Sequence, residues 1–366
     1  LPIKRQNTQR RGWAVSSDKR TPSIPIKMRR HGNLYEQIIS VENLQLAHKR
    51  AIKGKRWQRA VKAFNEDVEG NIEKIHDTLT LRAFIPSEYR IKQIYEPKKR
   101  DIYIVPFSPD RIVHHAIMNI LEPLWEKMFI HDSYACIKGK GMHAGSSRTM
   151  EFVRKNKYCL KCDIRKFYPS MHHDILFQII QKKIKCPETL KILRDIIYSI
   201  PGGVNVPIGN YTSQWFGNLY MNELDQYVKH HHRVKNYVRY SDDFVLFHDD
   251  KKRLRAIAAD LKAFLNVELG LTMSKCDIFP VTQGVDFLGY RHFPDHILLR
   301  RSTAARMKRR LCRLGKLFKI GRVSVDSLRS SAASSLGWMR WANSHNLSIS
   351  VKINHLLELC HAPAAA

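Results

Sequence analysis

The sequence predicts an α+β fold, and three observations predict it. Segments of helical and of strand periodicity alternate along the chain, but the strand-rich stretch 236–247 folds back on itself around two adjacent acids as an antiparallel hairpin. A doubly wound parallel sheet has no place for such a hairpin. The 366 residues, 43% of them hydrophobic, suffice for two or three subdomains with a substantial core. No internal repeat is present, so the elements must be read one by one.

Residues 1–27 are polar, basic and proline-bearing, without an apolar period, and read as a disordered or loosely held tail for which nucleic acid is one candidate ligand. From Asn33 the apolar residues Leu34, Ile38, Val41, Leu44, Leu46 and Ala47 recur at helical spacing. After the basic break at Lys53–Arg56, Trp57, Val61, Phe64, Val68, Ile72, Ile75 and Leu79 predict a helix over 57–82. Residues 89–105 read as a hairpin around Pro97, Lys98, Lys99 and Arg100. A helix follows over 110–128, with Asp110 as a favoured N-terminal residue. Beyond the glycine-rich stretch 138–145 come a short helix, a strand at 161–164, a helix at 172–183 and a long amphipathic helix at 213–230. The acidic hairpin, a helix at 252–269, short strands at 286–292 and 296–300, and a helical region over 306–357 complete the order.

Charge narrows the function. Lys and Arg number 63 against 33 Asp and Glu, a formal net charge of +30. Such self-repulsion is offset by a polyanion, nucleic acid first and an anionic membrane surface second. No run of about 18 apolar residues is available to span a membrane, and the N-terminus lacks the apolar core of a secretion signal. Seven scattered cysteines fit reduced thiols and a cytoplasmic location. Cys159 and Cys162 form a C-x-x-C, but on a strand they face opposite sides and lack the further ligands of a zinc site. His230, His231 and His232 read as a basic turn.

The chemistry concentrates on acids. Asp242 and Asp243 repel each other at a hairpin tip, and a hard divalent cation is the usual reason for such a pair, a solvated turn being the alternative. Asp163 ends an apolar strand and precedes a helix. A strand-end acid and a hairpin-tip pair can hold two metal ions roughly 3.5–4 Å apart, the arrangement of nucleotidyl transfer. Magnesium, with manganese as a substitute, suits all-oxygen ligation.

Tyr-x-Asp-Asp at 240–243 and Asp163 followed by Phe167 and Tyr168 resemble motifs C and A of reverse transcriptases. Further blocks fall in the same order. Residues 100–116 resemble the fingers block of bacterial, group II intron-like enzymes, and 133–143 continue it; 270–275 resemble motif D and 286–290 the primer grip. The resemblance implies a right-hand polymerase with fingers, a palm built on an antiparallel sheet, and a helical thumb. On that reading 1–28 is a basic tail, 29–155 fingers, 156–297 palm with 181–207 returning to the fingers, 298–361 basic thumb and 362–366 a tail.

The resemblance also assigns roles. Asp163, Asp242 and Asp243, with the backbone carbonyl of Ile164, are implied metal ligands. Lys275 matches the candidate general acid. Lys92, Lys98, Arg100, Tyr168, Gly209 and Gln214 are implied to surround the incoming nucleotide, Tyr168 as the gate against a 2′-hydroxyl. Phe287, Leu288, Gly289 and Tyr290 match the primer grip. Each cation taken alone could be a solvated charge, and Tyr168 a core aromatic like Phe167. Residues 300–322 carry ten basic side chains and no acid, interleaved with Leu311, Leu314, Leu317 and Phe318 at helical spacing. One face packs while Arg306, Arg309, Arg310, Arg313 and Lys316 meet the phosphates of a template–primer duplex. Trp338 and Trp341 read as core.

Motif B is unusual. Most of these enzymes carry Gln-Gly and Ser-Pro; here Ile208, Gly209, Asn210, Tyr211, Thr212, Ser213 and Gln214 stand in sequence. This form resembles the reverse transcriptases of diversity-generating retroelements, as does the region 30–48. The family implies mutagenic copying of a template-repeat RNA into cDNA, with errors at template adenines that diversify a target gene. It also implies a partner, an oligomeric helical-bundle accessory protein, beside template RNA, cDNA primer and dNTPs. Ile208 cannot make the hydrogen bond of a glutamine and is a candidate fidelity residue; filling a core gap is the alternative. With no space after the thumb for a ribonuclease H or endonuclease domain, template removal and nicking fall to other factors. Rival readings are an intron-like or defence-associated reverse transcriptase of ordinary fidelity, and a non-catalytic RNA-binding maturase.

Overall fold

The computed structural model describes residues 30–95 and 99–351. Lys98 and both predicted tails, 1–28 and 362–366, therefore lie outside the described residues. The N-terminal layer is α1 (Tyr35–Ile39), α2 (Val41–Ala51), α3 (Arg59–Glu66) and α4 (Val68–Thr80). Each of the two helices expected here is broken by a capping residue. Ser40 accepts the Asn43 N–H at the start of α2, and Asp67 accepts the Gly70 N–H at the start of α4. Trp57, Val41 and Leu46 stay exposed, whereas Leu34, Ile38, Leu44, Val61, Phe64, Ile72, Ile75 and Leu79 enter the core.

The hairpin β1 (Arg90–Ile94) and β2 (Arg100–Ile104) pairs antiparallel as expected. The next helix, α5 (Ile112–Glu126), starts later than expected, after a π-turn over Phe107–Arg111. Asp110 does not cap it. Its buried carboxylate instead accepts from the Ser87 N–H at 2.9 Å and the Ser87 hydroxyl at 2.6 Å. Then follow α6 (Met142–Lys155), β3 (Tyr158–Ile164), α7 (Phe167–Ser170), α8 (His173–Gln181), α9 (Pro187–Ile197) and α10 (Tyr211–Gln226). The central sheet is completed by β4 (Tyr237–Tyr240), β5 (Asp243–His248) and β6 (Met273–Pro280), with α11 (Lys251–Leu269) between the last two. Its order is β4-β5-β3-β6, antiparallel throughout. Strand β6 escaped the sequence reading because it is an edge strand whose residues 274–277 are exposed and polar, without apolar alternation.

Alternation sends the two faces of the sheet to different cores. Leu160, Cys162, Ile164, Phe244, Leu246 and Tyr237 meet the large helical core. Cys159, Val238, Val245 and Phe247 meet a smaller cluster with Tyr134, Phe152 and Phe287. Helix α10 is not the amphipathic helix expected. It is buried nearly all round, and two of its polar residues are buried with partners: the Asn218 amide donates to the Ala135 carbonyl at 2.8 Å, and Asp225 binds an arginine described below. A second sheet, β7 (Val285–Phe287), β8 (Tyr290–His292) and β9 (Ile297–Leu299), leads into α12 (Arg301–Lys319), α13 (Val325–Met339) and α14 (His345–Ser350). Tyr290, Leu299, Met307, Leu311, Leu328 and Met339 form the core of this last unit. The fold is α+β with an antiparallel central sheet, as the sequence predicts. No helix among the described residues is long and apolar enough to cross a membrane.

Candidate active site

Register brings the acids together. Asp163 lies directly opposite Asp243 across β3 and β5, and directly opposite Lys275 across β3 and β6. Directly opposed residues share a face, so Asp243, Asp163 and Lys275 form a row across three strands. Asp242 sits beside them in the two-residue turn between β4 and β5, where Ser241 takes φ +58°. Burial raises the pKa of Asp242, and the Asp163 charge adds to this while Arg100 pulls it back. Burial and then the Asp163 charge push Asp243 up to about 6, with Lys161 opposing. The three carboxylates thus hold mutual repulsion that the surrounding cations relieve only in part.

A hard divalent cation fits this donor set, since it takes oxygen ligands and favours the ionised form of each carboxyl. Among the described residues no group of three His, Cys, Asp or Glu side chains already converges as a metal cage. A β-bulge adjusts the strand end: Asp163 pairs with Lys275 but Ile164 pairs with Met273, leaving Ser274 as the extra residue. The Ser274 hydroxyl donates to the Asp163 carboxylate at 2.5 Å and lies 3.2 Å from the Asp163 backbone carbonyl.

The hairpin tip is held from behind by a buried ion pair that sequence reasoning missed. Arg239 and Asp225 have fully buried side chains, joined through Nε at 2.8 Å and Nη2 at 2.6 Å. The Tyr237 hydroxyl donates to the same carboxylate at 2.7 Å. The remaining guanidinium nitrogen, Nη1, donates to Asn218 Oδ1 at 3.2 Å and to the Ser241 carbonyl at 3.1 Å. Arg239 therefore tethers the turn that carries Asp242. The signal available in the sequence was an arginine at the centre of an otherwise apolar strand, a position that requires a buried partner.

Of the other predicted residues, Tyr168 and Arg100 act on this row directly. Tyr168 is mostly buried at the start of α7, its ring over Gly217 of α10, and burial pushes its pKa up to about 12. The same hydroxyl is hydrogen-bonded with Ser241. On the β1–β2 hairpin, Lys92 and Arg100 project from one face, because Lys92 pairs with Ile102 and Ile94 with Arg100. The Tyr103 N–H donates to the Ile208 carbonyl at 2.7 Å, docking this hairpin on the segment before α10. Gly209 has φ +127°, and a Cβ there would collide with the Tyr103 carbonyl oxygen. Ile208 is half-buried at this junction, and Gln214 is exposed on the first turns of α10.

Two predicted groups differ from expectation in detail. Phe287 and Tyr290 are fully buried, so of the four predicted primer-grip residues only the turn pair, Leu288 and Gly289, is partly accessible. Tyr290 instead donates to the Trp338 carbonyl at 3.1 Å and anchors α13. In α12, Arg306, Arg309, Arg313 and Lys316 are exposed opposite Met307 and Leu311. Arg310 turns back to α13, toward Ser335 Oγ at 3.2 Å. Trp338 packs on the Tyr290 ring, but Trp341 is 46% exposed and stacks on His143 at 4.7 Å, so it is not the core residue expected. Cys159 and Cys162 do face opposite sides of β3, and His231 stacks on Tyr227 in a π-turn after α10.

With this geometry in place, similarity to known proteins becomes informative. Residues 97–292 match the family described as reverse transcriptase (RNA-dependent DNA polymerase). Protein YkfC of Escherichia coli is 24% identical over 296 residues, 66% of this chain and 73% of YkfC. An uncharacterized 91 kDa protein in the cob intron of Schizosaccharomyces pombe is 22% identical over 131 residues, 33% of this chain but 16% of that protein. Apo telomerase from Candida tropicalis, truncated from the C-terminal domain, aligns at a TM-score of 0.44 and 14% identity, covering 58% of this chain and 55% of its own. Telomerase from Candida albicans, in complex with a fragment of telomeric RNA, aligns at 0.46 and 11%, covering 78% of this chain and 62% of its own. The family match spans more than half of the chain, from just before β2 through the acidic row: the chain belongs to the reverse transcriptases, RNA-directed DNA polymerases.

Proposed function

We propose that this reverse transcriptase makes error-prone cDNA, misreading template adenines, from the template-repeat RNA of a diversity-generating retroelement. The observation that carries the reading is motif B, where Ile208 precedes Gly209 in place of glutamine. The Ile208 main chain is held by Tyr103. Its side chain offers no donor or acceptor to a template base or an incoming nucleotide. Losing one buried polar contact lowers discrimination by about 1–3 kcal/mol, roughly tenfold or more. The test is primer extension on heteropolymeric RNA with sequencing of the cDNA, comparing the native chain with Ile208→Gln. The reading expects errors concentrated opposite adenine and reduced several-fold in the variant. Errors spread evenly over the four bases would favour an intron-like or defence-associated enzyme of ordinary fidelity.

In this reading 29–155 serve as fingers, 156–297 as palm with 181–207 returning to the fingers, and 298–361 as thumb. Asp163, Asp242, Asp243 and the Ile164 carbonyl would hold two magnesium ions. When bound, these ions would activate the primer 3′-hydroxyl and neutralise the leaving pyrophosphate. Arg239 and Ser274 keep the acids in place. Lys92 and Arg100 give their face of the hairpin the charge that triphosphate oxygens need. Tyr168 closes the sugar side with an apolar ring, and Lys275, in line with Asp163, is placed to give a proton to pyrophosphate. The exposed cations of α12 hold the duplex by its backbone, and Leu288 with Gly289 supports the primer. An oligomeric accessory protein is the further partner this assignment carries.

A further inference from the structure

A cavity of about 190 Å³ lies between the N-terminal layer, the start of α5 and the first turn of α10. Arg50, Lys55, Arg111, His115, Asn210 and Gln214 are among its lining residues. Among the described residues none of the three cations is ion-paired with a carboxylate. Burial lowers the pKa of Lys55, and the neighbouring Arg111 charge lowers it further. Burial, followed by Lys55 and Arg111, pushes His115 down to about 4. Glu122 feels the Arg50 charge, but its carboxylate accepts from the Tyr211 hydroxyl at 3.2 Å. The wall is thus a set of cations that repel one another with no carboxylate in direct contact, although Arg50 Nη1 donates to Asn119 Oδ1 at 2.6 Å.

Two independent features point the same way. The N-terminus of the 16-residue α10 opens here without a side-chain cap, so its first N–H groups and dipole favour an anion. Asn210 is 3% exposed, and its Oδ1 has no partner although its Nδ2 donates to the Tyr89 hydroxyl at 2.9 Å. His115 Nδ1 is likewise unpartnered, with its ring stacked on Tyr211 at 4.4 Å. A phosphodiester group alone carries no O–H and would leave the Asn210 acceptor unsatisfied, whereas a ribose hydroxyl beside it would fill it. The volume is below the roughly 300–1,000 Å³ of pockets that enclose a drug-sized ligand, which argues against a whole nucleotide.

We propose that this cavity grips one phosphate–ribose unit of the single-stranded RNA template as it approaches Gly209. The proposal rests on the family assignment and not on the mutagenic reading. Arg50, Lys55, Arg111 and the α10 N-terminus take the phosphate, and Asn210 Oδ1 accepts from the 2′-hydroxyl.

The test uses Arg50→Gln/Lys55→Gln, on exposed and half-exposed side chains, against a control with the same charge loss outside the cavity, Lys53→Gln/Lys62→Gln. Thermal melts of both confirm folding. Anisotropy then measures binding to a primer–template with a 5′ RNA overhang, the same with a DNA overhang, and a blunt duplex. The proposal expects about tenfold weaker binding of the RNA-overhang substrate by the cavity variant alone. The slope of log K against log salt should fall by about 0.7, the contribution of one single-strand phosphate contact. The native chain should favour the RNA overhang over the DNA overhang. Equal losses on blunt and overhang substrates would overturn it. So would unchanged overhang binding with a raised KM for dNTPs, which would make this a triphosphate site. Inorganic phosphate competing as well as the RNA overhang would reduce it to a free-anion site and overturn it too.

Discussion

Replacing Asp225 with alanine should cost about 3–5 kcal/mol of stability, because it leaves the Arg239 charge buried and unpaired. Both side chains are fully buried, so no solvent screening softens this figure. The Tyr237 hydroxyl loses its acceptor as well. The triple variant Asp225→Leu/Arg239→Met/Tyr237→Phe removes the ion pair and its tyrosine, leaving Asn218 Oδ1 without its donor. Apolar replacement of a buried pair is often neutral or stabilising, so most of the lost stability should return. Activity should not return, since the Ser241 carbonyl has lost the Nη1 donor that fixes the turn carrying Asp242. A displacement of about 1 Å at a reacting group can cost on the order of 10²-fold in rate. Urea denaturation and primer extension on the same preparations separate the two effects. A triple variant that is stable and extends at the native rate would refute the positioning argument. An Asp225→Ala variant of unchanged stability would refute the burial of the pair.

Other perturbations test other parts of the account. Asp243 has a folded pKa near 6, above an ordinary carboxyl, so it costs stability as pH rises from about 4 through 6, and the cost is complete above that. Asp243→Asn should therefore be more stable than the native chain at pH 8 and lose that advantage at pH 4, as thermal melts would record. By the same linkage magnesium should raise the melting temperature of the native chain more at pH 8 than at pH 5, and chelation should reverse the gain. Gly209→Ala should weaken extension and cost about 1–3 kcal/mol, because alanine is strained at φ +127° and meets the Tyr103 carbonyl; denaturation midpoints and rates check it. Tyr168→Val should narrow the preference for dNTPs over rNTPs at least tenfold in kcat/KM, and an unchanged ratio would remove Tyr168 from the gate.

Much of this organisation was legible because it rests on short-range patterns. The β1–β2 hairpin, the strand ending at Asp163 and the turn at Ser241 and Asp242 follow from local alternation and turn chemistry; that Asp163 meets Asp243 rests on the pairing of β3 with β5, for which only the resemblance of the motifs speaks in the sequence. What escaped depends on contacts distant in sequence. Arg239 reads as a surface cation until Asp225, on the central helix, is placed against it. Ser274 becomes a partner of Asp163 only through a bulge in an edge strand whose exposed polar face hides its periodicity. Helix α10 reads as amphipathic in sequence, but its Asn218, Asn222 and Asp225 are internal polar residues and not a wet face. The basic cavity gathers residues from three separate stretches of chain, none of which carries a motif for it.

The most direct test of the central claim is primer extension on heteropolymeric RNA with magnesium, run for the native chain and Asp242→Ala with RNA affinity measured on the same preparations. The account predicts cDNA synthesis by the native chain, its loss in the variant, and RNA affinity within about twofold. Extension that survives Asp242→Ala would contradict the assignment of the hairpin acids as the polymerase centre.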